Sequence, residues 1–346
     1  MHQFCIDSNN LVGGIDTWIK DYLFFAKKRV TVIGTYEKQK RILRNNCEYF
    51  GIQRSKARGF FPTSLLFALK VVRNRSKIRG SIYIHRIDYA VVTRLLKPKT
   101  EIVLFIHTDL SKNLGKSSES KWRLLGKFYY IFESISLKTP NKVFLYSETD
   151  YVRLKSKRPD CIILKSFYND NVFRSQVKWS SRPKQVIWVG RFESPKNPLF
   201  ALEVVRKFLH HDRTDIQFVF IGNGSQENKM KQYAVDNELT NLKLVSPLSA
   251  NDLAKEMNKS RVIFTTSEFE GSPRVLYEAI GCNVALVTCQ SADPDNLGLH
   301  NSYGIQVKSK NIDEYYDAIV KLISLRERNE ITNPPNQGSQ VVNEVF

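Results

Sequence analysis

Residues 261–281 read RVIFTTSEFEGSPRVLYEAIG, an apolar run that passes through a short turn into a helix. RVIFTTS has the β-branched and aromatic content of a buried strand. Pro273 suits the first position of a helix, and Gly281 can close its far end. Gly271 and Ser272 are left in the turn, with backbone amides beside a positive helix terminus, which is a ready site for an anion. Glu270 stands at the mouth of this turn and Glu278 about one and a half turns into the helix. Carboxylates so placed suit vicinal hydroxyls, because each oxygen accepts a hydrogen bond. A plainer alternative is that Arg274 and Glu278, at i,i+4, simply pair on the helix surface. That alone leaves the turn itself, and two cations further up the chain, without a purpose.

Outward from this stretch, strand-like and helix-like segments alternate. QVIWVG (185–190), IQFVFIG (216–222), LKLVS (242–246) and VALVT (284–288) read as further strands. Helices fit at 198–210, 226–237, 249–258 and 273–280, with a last one at 311–328 whose start Asp313 can cap. RVTVIG (29–34), SIYIH (81–85), EIVLFIHT (101–108) and KVFLYSE (142–148) form an earlier strand set. Its helices are expected after Gly14, around 62–75 and around 119–137. Continuous Val, Ile and Leu runs joined by helical crossovers are the pattern of parallel sheets. The expected fold class is α/β, with two doubly wound Rossmann-like domains. The first is expected over 1–176 and the second over 177–325. A tail over 326–346 frays or lies across the first domain.

In open α/β sheets, ligands bind beyond the carboxyl ends of the strands. VGRFESPKN (189–197) follows one such end. Gly190 allows a close turn, and Arg191 and Lys196 offer the fixed positive charge that a diphosphate needs. IGNGS places Gly222 and Gly224 after another strand, but Glu227 breaks the G-x-G-x-x-G dinucleotide fingerprint. His107 in FIHTD also follows a strand. By residue type alone it is as well a core histidine as a site residue.

Composition narrows the class. Among 346 residues, 42% are hydrophobic and 12% aromatic, enough for sizeable cores and against wholesale disorder. Five scattered cysteines without a C-x-x-C read as reduced thiols, and nothing resembles a zinc cluster. No signal peptide or membrane span is visible, so the chain reads as a cytoplasmic protein.

The net charge of +19 is uneven. Residues 1–180 hold 34 Lys and Arg against 14 acids, whereas 181–346 hold 19 against 20. The first half therefore expects an anionic partner. FFPTSLLFALKVVRNRSKIRG (60–80) reads either as an interfacial helix at an anionic membrane or as an ordinary helix with a solvated basic flank. Nucleic acid is disfavoured, because no reading motif or aromatic stacking pattern is present.

EGSPRVLYEAIGCNVALVT (270–288), VGRFESPKN, IGNGS and VGGIDTWIKDYL (12–23) together resemble the retaining glycosyltransferases of family 4, which use nucleotide sugars and share the GT-B architecture. That resemblance implies two Rossmann-like domains facing each other across a cleft, and transfer of a sugar from a nucleotide diphosphate donor, UDP in preference to GDP. The acceptor would be a glycan, preferably a lipid-linked one, with the enzyme peripheral at the inner face of a membrane. Neither a cofactor nor a metal is implied. Arg191 and Lys196 would hold the diphosphate, Glu278 the ribose hydroxyls, and Glu270 those of the donor sugar. The stretch Gly271, Ser272, Pro273, Arg274 and Val275 would touch sugar and phosphate. His107 would lie beside the transferring sugar, while Gly13 and Gly14 would let a first-domain loop approach the donor. The chain departs from the family pattern at KSFYNDNVFR (165–174) and at CQSADPDNLG (289–298). A nucleotide-sugar epimerase of the same fold and a non-catalytic binder of anionic polymers are the rival readings.

Overall fold

The structure is a computed structural model that describes residues 3–6, 14–26, 30–34, 47–51, 72, 81–85, 87–96, 99–107, 126–308 and 310–345. Apart from Val72, the basic stretch 60–80 lies outside them, as does Gly13. The chain divides into two units, residues 1–165 with 338–346, and residues 166–337.

The first unit has strands β1 (Gln3–Ile6), β2 (Val30–Gly34), β3 (Cys47–Gly51), β4 (Ile82–Ile84), β5 (Ile102–Ile106), β6 (Lys142–Leu145) and β7 (Ile162–Ile163). They pair in parallel in the order β3-β2-β1-β4-β5-β6-β7. Its crossovers include α1 (Gly14–Phe25), α2 (Ile87–Leu96), α3 (Gly126–Lys138) and α4 (Glu148–Leu154). All five residues of β5 are buried, which explains why that segment is apolar throughout rather than alternating.

The second unit repeats the plan. Strands β8 (Gln185–Val189), β9 (Gln217–Ile221), β10 (Leu242–Val245), β11 (Val262–Phe264), β12 (Ala285–Cys289) and β13 (Gly304–Val307) pair in parallel in the order β10-β9-β8-β11-β12-β13. Strand direction therefore reverses its march between β8 and β11, which is the switch point where such sheets bind ligands. The side chains of β8 alternate between two cores. Val186 and Trp188 join Phe218, Phe220 and Phe264 on one face, and Ile187 joins Val219, Ile221 and Ile263 on the other.

Helices α5 (Pro198–His210), α6 (Glu227–Asp236), α7 (Ala250–Lys259), α8 (Arg274–Gly281) and α9 (Ile312–Ile323) fall close to the expected spans. Asn311, rather than Asp313, caps α9, because its side-chain oxygen accepts the Glu314 amide at 3.2 Å. The helix also stops at Ile323, five residues short of the expected end. Strands β3, β7 and β13 escaped the sequence pattern, and all three lie at sheet edges, where one neighbour suffices and less apolar residue is needed.

The boundary expected at 176/177 falls instead between Lys165 and Ser166. Tyr168 and Phe173 are the reason, since both are buried in the core beneath α8. At the far end Tyr168 bridges to Gln337, and Asn336 donates to the Ser166 carbonyl at 3.1 Å. The two chain crossings between units therefore lie side by side. Beyond them, α10 (Gly338–Val345) belongs to the first unit and packs on α1.

Candidate active site

At the switch point of the second unit, the loops leaving β8 and β11 meet. Lys196 Nζ forms an ion pair with Glu270 Oε1, and Ser267 Oγ donates to the same oxygen at 2.7 Å. Both charged side chains are partly open, 26% and 19% exposed, so the pair is held in place yet reachable by a ligand. Main-chain links fix its geometry. The Thr266 hydroxyl accepts from Trp188 Nε1 at 3.1 Å and donates to the Lys196 carbonyl at 2.9 Å. The Glu268 amide donates to the Pro195 carbonyl, also at 2.9 Å. Asn197, the residue after Lys196, takes the left-handed conformation and allows Pro198 to open α5 directly.

The β9 loop seats itself under the β8 loop. A Cβ at Gly222 would lie 1.9 Å from the Gly190 carbonyl oxygen, and one at Gly224 would lie 2.5 Å from that of Phe192. These glycines thus serve close loop packing. Glu193, which the sequence pattern did not single out, clamps the two loops. Its carboxylate accepts the Ser225 amide at 2.9 Å and the Ser225 hydroxyl at 2.6 Å, which holds its pKa below the usual carboxylate value. Arg191 is exposed beside them.

Helix α8 begins at Arg274, with Pro273 in the capping position just before it, one residue later than expected. The Ser272 hydroxyl is already engaged, accepting from the Ser166 amide at 2.9 Å and donating to Asp295 at 3.3 Å. Any contribution of Ser272 to an anion therefore comes from its main chain. Arg274 and Glu278 do pair, Nε to Oε1 at 2.8 Å, yet the pair is buried rather than on the surface, with side chains 11% and 7% exposed. Burial raises the Glu278 pKa above the ordinary value and lowers that of Arg274.

The loop after β12 departs from the family pattern but is well built. Asp293 is fully buried and accepts the Leu297 and Gly298 amides and the Thr288 hydroxyl. Asp295 accepts the Tyr277 hydroxyl at 2.7 Å, next to its contact with Ser272. Only the position of these acids at a strand end could have flagged them. Among the described residues, no three His, Cys, Asp or Glu side chains gather as metal ligands, and no helix is long and apolar enough to cross a membrane.

In the first unit, His107 follows β5 and Gly14 opens α1. His85, which directly follows β4, meets His107 through Nδ1 and Nε2 at 2.7 Å. His107 stacks on Tyr146, centroids 4.6 Å apart, and His85 stacks on Phe105 at 5.0 Å. Trp18 closes on both imidazoles from α1. Loss of solvent around the rings pushes the His107 pKa down to about 3 and that of His85 well below its ordinary value.

Two doubly wound units, the second with a charged pair at its switch point, define the GT-B class, and solved structures agree. A sucrose-phosphate synthase from Thermosynechococcus elongatus superposes with a TM-score of 0.78 at 14% identity, over 100% of this chain and 95% of that one. Alr3699/HepE of Anabaena, solved with UDP and glucose, gives a TM-score of 0.73 at 15% identity over the same shares. Residues 169–334 match the family Glycosyl transferases group 1. In sequence, the capsular polysaccharide biosynthesis glycosyltransferase CapH of Staphylococcus aureus is 25% identical over 170 residues, 47% of this chain and 46% of its own. The chain spans under half the length of the curated relatives it matches.

Proposed function

We propose that this chain transfers a sugar from a nucleotide diphosphate sugar, with UDP the preferred base, to a hydroxyl of a glycan acceptor with retention of configuration. The observation that carries the reading is the Lys196–Glu270 pair, held between the two loops that flank the switch point. On donor binding, Lys196 and Arg191 take the diphosphate, and Glu270 turns to the hydroxyls of the sugar. As the glycosidic bond breaks, negative charge gathers on the departing diphosphate. Fixed cations and the first-turn amides of α8 stabilise that charge without rearranging at the moment of reaction. The leaving phosphate takes the acceptor proton, and Glu270 stabilises the sugar, so no separate base is required. Side chains here supply the positive charge without a metal.

Glu278 holds the ribose through whichever part of its carboxylate Arg274 leaves open, and its low exposure makes it selective for a group inserted deeply. The names of the relatives support a polysaccharide context: CapH is a capsular polysaccharide enzyme, and HepE was solved with UDP and glucose. The excess of basic residues over 1–180 supports an acceptor carried on an anionic lipid surface.

The test is release of free UDP or GDP from a panel of nucleotide sugars, beside Glu270→Ala and Lys196→Ala. Release from one donor, lost in both variants, names the donor sugar. Silence across the panel together with no nucleotide-induced thermal stabilisation overturns the reading. Co-sedimentation with liposomes tests the acceptor surface, and binding that ignores acidic lipid would sink that part.

A further inference from the structure

We infer that His85 is a positioning residue for His107, fixing through one N–H···N bond which ring nitrogen His107 presents. The inference rests on the reading above only for its catalytic consequence. The pair itself stands on geometry within the first unit.

His85 and His107 occupy the positions immediately after β4 and at the end of β5, two adjacent parallel strands. Neighbouring strand ends bring the two rings to 2.7 Å between His85 Nδ1 and His107 Nε2. A contact so short between two ring nitrogens requires a proton on one of them and a lone pair on the other. Two imidazolium rings would set N–H against N–H, so at least one ring of the bonded pair is neutral, and burial of both rings disfavours charge on the other.

The bond then dictates the rest of each ring. If His85 donates, His107 carries its own proton on Nδ1. If His107 donates, its Nδ1 is an acceptor. In either case Nε2 of His107 is committed to His85, and Nδ1 is the ring nitrogen that His85 does not engage. His107 therefore presents Nδ1, set from behind, whichever ring donates.

The surroundings hold the two rings at fixed angles. His85 is buried, 5% exposed, while His107 is half-buried, which makes His85 the inner ring of the pair. Phe105 lies parallel to the His85 ring at an interplanar angle of 16°, and Tyr146 parallel to the His107 ring at 10°. Trp18 meets His85 edge-on at 4.8 Å. Rings stacked this way cannot turn without displacing an aromatic neighbour. A buried histidine that only filled space would need none of this alignment toward a second imidazole.

Two substitutions separate the bond from the packing. His85→Phe keeps an aromatic ring against Phe105 and Trp18 but cannot hydrogen-bond. His85→Asn loses the ring but places a polar atom near the former Nδ1. The full chain carries six histidines, so nitrogen-15 labelling of histidine resolves ring protonation by NMR without the acceptor. In the unaltered protein, His107 is expected to stay neutral from about pH 8 to about pH 5.5, with its Nε2 shift displaced by the bond to His85. In His85→Phe the Nε2 shift should lose that displacement. Donor turnover should fall about tenfold in kcat with little change in KM, and His85→Asn should recover most of it. His107 nitrogen shifts unchanged in His85→Phe would overturn the inference, as would turnover in His85→Asn no better than in His85→Phe. Should His85→Phe fail to fold, the shifts of His107 in His85→Asn decide, since a retained bond keeps the Nε2 shift displaced and its loss overturns the inference. If the unaltered protein turns over no donor and no nucleotide stabilises it thermally, the transferase reading fails, and the NMR result still judges the pair.

Discussion

The two units share one plan of strands and differ in what stands at its centre. Both sheets are parallel and reverse direction beside their first strand, β1 against β4 in one unit and β8 against β11 in the other. At the second switch point the side chains are charged, with Lys196 against Glu270 and Arg191 nearby. At the first they are neutral rings: His85, His107, Trp18 and Tyr146. The first unit does bury charge, but between helices, where Arg153 holds both oxygens of Glu133 and Lys157 adds a third bond. Topology thus decides where a ligand can be met, and the few residues after each strand decide what kind of ligand it is. Charge at one switch point and neutral rings at the other suit chemically different groups.

This contrast can be broken at several depths. The largest effect is expected in the second unit from Glu278→Ala, which takes the carboxylate from beside the buried Arg274. Urea unfolding should show a loss of about 3–5 kcal/mol, and replacing both partners with leucine should recover much of it. Loss of less than about 1 kcal/mol would mean that the pair is solvated in solution. Lys196→Ala and Glu270→Ala should each lower nucleotide release by about 10²–10³-fold with unfolding little changed. Gly222→Ala forces its Cβ against the Gly190 carbonyl and should cost about 1–3 kcal/mol, read from the melting temperature.

The first unit should show its own signature in pH. The His107 pKa is depressed in the folded state to about 3 from an ordinary 6.5, so below pH 6.5 the unfolded chain binds the extra proton. Stability must then fall on acidification through that window, by up to about 1.4 kcal/mol per pH unit for each such histidine. Unfolding measured at pH 7 and pH 5 should show this slope, and His85→Phe should flatten it. The smallest effect is expected from Ser267→Ala, which removes one hydrogen bond to Glu270 at a cost of about 1 kcal/mol.

Much of the second unit was legible in sequence, because strands β8, β9, β11 and β12 are largely buried and Pro198 and Pro273 mark the starts of α5 and α8. RVIFTTSEFEGSPRVLYEAIG reads as strand, turn and helix on local chemistry alone. The Arg274–Glu278 spacing was equally legible, but burial of the pair was not, since i,i+4 spacing says nothing of which side of a helix faces the sheet. Asn311 lost to Asp313 in expectation because both residues can cap, and only the chain path before the helix chooses. His85 was missed because its partner lies 22 positions away, and strand pairing alone brings the two together. Glu193 and Asp295 were missed for the same reason, each acting across a gap between loops.

The side-by-side crossings at 165/166 and 337/338 make the second unit an insertion within the first. During synthesis, residues 166–337 leave the ribosome as an uninterrupted block, free to fold at once. The first unit by contrast waits for α10, which follows the second unit in the chain. The half that carries the charged site is thus finished before the half with the paired imidazoles can be. An excised 166–337 fragment should melt as one cooperative body, while removal of residues 338–346 should weaken the first unit alone.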